Sequence, residues 1–159
     1  MATAHLKIEG IDGDSTATGF EDQIDCSSWS WGASQAANMH VSSGGASSGS
    51  SVMDISITKD MDKSSPNLMK KCCAGEHIPE AILTCTKSAG TGGMINWYVI
   101  TMTEVIISSV SSSGQEGAMG MESVSLNFAK YKIEFFSQGA DGTAQAGPEA
   151  TWDIRAQVE

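Results

Sequence analysis

Between residues 121 and 136 the apolar positions change parity: Val124, Leu126 and Phe128 carry even numbers, whereas Tyr131, Ile133 and Phe135 carry odd ones. Side chains on a strand alternate between faces with a strict period of two, so the change demands a bulge or a corner near residues 129–130. Strongly bent strands that switch faces belong to small barrels and orthogonal sandwiches. The fold class that follows is mainly β, a small antiparallel β-barrel or orthogonal sandwich. The 159 residues fit a single domain spanning 1–159, and folding at this size buries roughly 70% of the unfolded surface.

Other segments read consistently with that frame. A short strand is expected at 5–9, with Leu6 and Ile8 on one face, and a Gly/Asp/Thr loop at 10–19. Residues 23–34 form a strand with Trp29 and Trp31 on one face and Ser28, Ser30 and Gly32 on the other. Residues 52–59 place Met53, Ile55 and Ile57 opposite Asp54, Ser56 and Thr58. Further strands are expected at 79–87, 94–110 and 152–158, with a Gly/Ala-rich loop at 137–150. One short α-helix is expected at about 65–74. Ser65 caps it, Pro66 sits at the first helical position and Gly75 stops it. Leu68, Met69, Cys72 and Cys73 form the apolar stripe of that helix, which packs on the sheet as a plug.

The strand at 94–110 is apolar on both faces in its middle. Trp97, Val99 and Val105 lie on one side, and Tyr98, Ile100, Met102 and Ile106 on the other. An antiparallel strand with one face on the core leaves the other polar. Either the helix or another subunit must cover the second face.

Composition narrows the chemistry. Nineteen Asp and Glu against nine Lys and Arg give a formal charge of −10, which repels phosphate backbones and anionic lipid heads. Nucleic acid and membrane insertion are therefore not expected. Solubility alone accounts for such a charge; a surface that must not adhere to cargo would carry it too. Cys26, Cys72, Cys73 and Cys85 form no C-x-x-C and read as small buried hydrophobes suited to a reducing cytosol. His5, His40 and His77 are scattered, without a metal-binding spacing. No G-x-S-x-G elbow or phosphate loop occurs. No catalytic residue, metal or cofactor is expected, and neither is a signal peptide: the first residues lead straight into strand pattern.

Residues 42–51 contain only Ser, Gly and Ala. They cannot bury enough apolar surface to offset the entropy of ordering, so about 38–51 reads as a flexible arm. It is either a solvated hairpin loop or a segment that orders against a neighbour.

Six stretches, in order, resemble the Hcp (haemolysin-coregulated protein) family: IDCSSWSWGASQ at 24–35, ITKDMDKSSPNLM at 57–69, GEHIPEAILT at 75–84, ISSVS at 107–111, ESVSLNFA at 122–129 and WDIR at 152–155. The resemblance implies a squat barrel assembled into a hexameric ring. Such rings stack into the inner tube of a bacterial type VI secretion system, surrounded by a contractile sheath and tipped by a spike of the valine-glycine-repeat type. It also implies synthesis in the cytoplasm, release to the medium or a target cell, and carriage of small effector proteins in the lumen. No appended toxin domain is expected. On this reading Ser28 and Ser30 line the lumen, and Ser42, Ser43, Gly44, Gly45, Ala46, Ser47, Ser48 and Gly49 form an arm toward the next ring. Tyr98, Ile100 and Met102 meet the neighbouring subunit. The competing reading is a monomeric ligand-binding β-barrel with an enclosed pocket; an enzyme ranks below both.

Overall fold

A computed structural model of the chain describes residues 4–36, 49–90 and 92–159. Ten strands and one helix follow in the order β1 (Ala4–Ile8), β2 (Ile24–Cys26), β3 (Ser28–Ser30), β4 (Ala33–Gln35), β5 (Ser50–Val52), β6 (Ile55–Asp60), α1 (Ser65–Ala74), β7 (Ile78–Ser88), β8 (Met94–Ser113), β9 (Met121–Gln138) and β10 (Ala144–Asp153). The main sheet runs β2-β1-β7-β8-β9-β6-β3, and every pairing in it is antiparallel. Its two ends, β2 and β3, are separated only by Ser27. The Ser27 amide and hydroxyl both donate to the Thr58 carbonyl, at 2.8 and 2.9 Å. One bent segment thus serves as both edges, and the sheet closes on itself.

Inward-facing Leu6, Ile24, Ile55, Ile57, Leu83, Ile100, Met102, Val105, Val124 and Leu126 fill the interior, all essentially without solvent contact. This is a packed core, and it leaves no room for the enclosed ligand pocket of the monomeric-barrel reading.

The parity change in β9 is present, and it has a counterpart that sequence pattern did not expose. Met102 faces Tyr131, and Val105 faces Phe128; all four pack in or against the core. Inward positions therefore advance by three, instead of two, across Glu104 on β8 and Ala129 on β9. Glu104 adopts a left-handed backbone at φ 56°, where a non-glycine residue is uncommon. The apparent two-faced strand is largely one inward face read on both sides of this kink.

Five further expectations are corrected. Met53 is 62% exposed, because β5 ends at Val52 and the chain breaks before β6. The region 137–150 is not all loop: β10 pairs with β9 from Ala144↔Gln138 to Asp153↔Lys130, through a bulge between Ala146 and Glu149. Residues after Asp153 turn instead of forming the expected strand, apart from a bridge to Val158. The helix has Ser64 as its N-cap residue, with no side-chain cap hydrogen bond. Gly75 ends it at φ 61°, its amide bonded to the Cys72 carbonyl. Of the expected stripe, Leu68 is buried and Cys72 is partly buried, whereas Met69 (41%) and Cys73 are exposed.

The hydroxyl of Ser65 has a different task from capping. It meets Glu122 Oε1 and Lys59 Nζ beneath the start of the helix. Lys59 and Glu122 are cross-strand partners on β6 and β9, the next pair on the same face as Ile57↔Val124, and both are buried. Their side chains approach to 2.9 Å, and Asp62 Oδ1 lies 3.0 Å from the same ammonium. An ion pair thus continues an apolar ladder where the helix crosses it.

Candidate functional site

The outer face of the β3-β6-β9-β8 wall is lined with hydroxyls. Register places Ser28, Thr58, Ser123 and Ser111 in one cross-strand row, and Ser30, Ser56, Ser125 and Ser109 in the next. Each strand contributes a hydroxyl-apolar-hydroxyl triplet whose central residue, Trp29, Ile57, Val124 or Val110, packs in or against the core. Ser28, Ser30, Ser109, Ser111 and Ser123 are exposed, and Ser56 and Ser125 share a 3.1 Å hydrogen bond. At one end of the rows Asp54 accepts from Ser108 (2.6 Å) and Asn127 (2.8 Å). Short hydroxyls present weak, exchangeable hydrogen bonds and no charge. Sequence reasoning found only Ser28 and Ser30; the signal for the other six was the repeated triplet at 56–58, 109–111 and 123–125.

The three residues expected at a neighbour contact are separated by the fold. Ile100 and Met102 have no solvent exposure within a single chain, so they cannot form that contact; they lie on the inward face, which the kink at Glu104 carries on to Val105. Tyr98 is only partly buried, and burial raises its phenol pKa. It stacks on Trp29 at 6.0 Å and meets the tilted ring of Trp97 at 5.6 Å, with Phe135 a further 6.5 Å from Trp97. Phe135 in this group is 41% exposed. Trp31 joins a second aromatic group with Phe128 and Tyr131, its indole N–H donating to the Met53 carbonyl at 2.9 Å. Of the expected arm, Ser42, Ser43, Gly44, Gly45, Ala46, Ser47 and Ser48 lie outside the described residues; Gly49 is described, at φ 92°.

The cysteines do not share one environment. Burial pushes the Cys26 thiol up to about 12, with the Asp25 carboxylate adding to the effect, and burial also raises Cys85. Cys73 stands exposed on the helix, contrary to the expectation of four buried thiols. Because the thiolate is the reacting species, alkylation of native protein at about pH 8 is expected to label Cys73 and spare Cys26. Peptide mass mapping checks this, and prompt modification of Cys26 would contradict the buried placement.

Among the described residues no cluster of His, Cys, Asp or Glu is arranged to hold a metal ion. Among them, too, no helix is long and apolar enough to cross a membrane.

The described residues thus form a nearly closed β-barrel with a packed core and a hydroxyl-lined outer wall. Residues 5–135 match the family model described as type VI secretion system effector, Hcp. The chain is 40% identical to protein hcp1 of Pseudomonas aeruginosa over 156 residues, covering 97% of this chain and 96% of that one. Among solved structures it is similar to Hcp1 from Salmonella typhimurium, with a TM-score of 0.81, 34% identity, and 99% and 98% of the two chains covered. Hcp2 from the same organism gives a TM-score of 0.73 at 34% identity, over 98% of each chain. The chain belongs to the Hcp family of type VI secretion proteins. This is a family of secreted structural proteins and not of enzymes.

Proposed function

We propose that the chain is the ring subunit of a type VI secretion inner tube. Six copies close head to tail, and the rings stack into a hollow tube. The observation that carries this reading is the hydroxyl face of β3, β6, β9 and β8, whose two rows carry no charge. In a molecule of charge −10, such a face suits a channel wall that cargo must pass without adhering. Ser28 and Ser30, with the six hydroxyls in their rows, line the lumen and contact small effectors through replaceable hydrogen bonds. The partly exposed group of Tyr98, Trp97 and Phe135 meets the neighbouring subunit, with Ile100 and Met102 supporting it from inside. The Ser/Gly/Ala segment 42–49 reaches the adjacent ring, a role that rests on its composition and on the family resemblance. The contractile sheath and the valine-glycine-repeat spike are the partners that such a tube requires.

Light scattering of the purified protein is expected to give a particle of about 100 kDa, six times the 16.6 kDa chain; a monomer would overturn the proposal. Ser30→Arg, which projects a long cation from the same wall, is expected to leave that mass unchanged and abolish stabilisation of a co-expressed effector. Normal effector levels with this variant would remove Ser30 from the lumen.

A further inference from the structure

A separate cavity lies on the outer face of β2, β1 and β7, beneath the loop of residues 10–23. Asp25, His5 and Thr84 form a cross-strand row there, and Thr86 follows two residues on. His5 is buried although it points away from the barrel core, because Phe20 of the loop stacks on its ring at 4.3 Å and 12°. His5 Nδ1 lies 2.9 Å from Asp25 Oδ1. A carboxylate can only accept, so Nδ1 carries the proton, and in the neutral ring Nε2 is left as an acceptor. The second observation is Thr86, which is 2% exposed. Its hydroxyl has no hydrogen-bond partner among the described residues, and it lines a cavity of about 740 Å³ together with His5, Phe20 and Asp25. A buried hydroxyl without a partner costs free energy unless something supplies one.

We propose that this cavity binds a guanidinium group, carried by an arginine side chain or by a small guanidinium compound. The polar side-chain groups on offer can all accept: the second oxygen of Asp25, whose side chain remains 49% exposed, the imidazole of His5, and the hydroxyls of Thr86, Thr16 and Thr18, which can also donate. No lysine or arginine is among the lining residues. An aromatic ring in the wall, that of the partly exposed Phe20, favours a planar cation over a compact ammonium. The guanidinium matches on each count, with five N–H donors in one plane. Its charge is opposite in sign to that of the chain as a whole.

Saturation-transfer NMR tests the site on full-length protein in whatever assembly it adopts, using N-acetyl-arginine amide, its citrulline counterpart, agmatine and a short peptide with one arginine. The arginine amide is expected to show saturable transfer centred on the protons beside its guanidinium, and the neutral citrulline compound none. Asp25→Asn keeps an acceptor for His5 but removes the charge, and is expected to weaken binding about tenfold. Thr86→Val is expected to weaken it by a smaller factor. Tighter binding of the peptide than of agmatine identifies a polypeptide source, and the reverse a small-molecule source. No saturable transfer, equal response to citrulline, or an unchanged affinity in Asp25→Asn would each overturn the proposal.

Discussion

Replacing Lys59 with methionine is expected to destabilise the subunit by about 3–5 kcal/mol, the usual cost of stripping one partner from a buried ion pair. The ammonium has no solvent exposure and lies about equally close to Glu122 and Asp62, whose side chains are 1% and 12% exposed. Without it, both carboxylates stay in a site that water reaches poorly. Glu122 keeps only the Ser65 hydroxyl from the contacts described above. Lys59→Met/Glu122→Gln should recover part of the loss, since glutamine can still bond Ser65 without a stranded charge. Urea denaturation with an unchanged m-value measures both variants. A loss below about 1 kcal/mol, the range of exposed pairs, would show that the site is hydrated. The start of α1 sits on this pair, so its hydrogen exchange should rise in the single mutant first.

Parts of this fold were legible because they rest on strict local rules. Period two placed Trp29 toward the interior and Ser28 and Ser30 away from it. Pro66 and Gly75 marked the helix ends. The parity change between Phe128 and Tyr131 required a bend, and the bend is there. β10 was not legible: Ala144, Gly147 and Pro148 have poor strand propensity, and the strand exists because β9 runs beyond β6 and leaves an edge for it to pair. Period two puts Lys59 on the inward parity of Ile55 and Ile57, but the partner that lets a lysine be buried there, Glu122, is remote in sequence, on β9. Nor could the hydroxyl wall be read strand by strand, because it exists only once register aligns four separate triplets. The family, by contrast, was legible from residue identities in the Trp-Ser-Trp-Gly block and the helix start, which physical pattern alone would not have named.

Ile100→Ala is expected to cost about 2–5 kcal/mol of subunit stability, as removal of a buried branched side chain does when its surroundings relax only partly. Ile100 faces Ile133 across β9 and Leu83 across β7, and it has no solvent exposure. The variant therefore opens a cavity inside the barrel and touches nothing that a neighbour could reach. Tyr98→Ala is expected to behave differently, because Tyr98 is partly exposed among Trp29, Trp97 and the half-open Phe135. It should reduce the fraction of ring-sized particles at low protein concentration and cost less of the subunit's own stability. Denaturation and light scattering on the same samples separate the two. Ile100→Ala should lower the denaturation midpoint while the folded particle keeps its mass, and Tyr98→Ala should lower the mass before the midpoint. If Ile100→Ala instead dissociated particles whose subunits kept full stability, the inward placement of Ile100 would be wrong, and the strand would present both faces to partners after all.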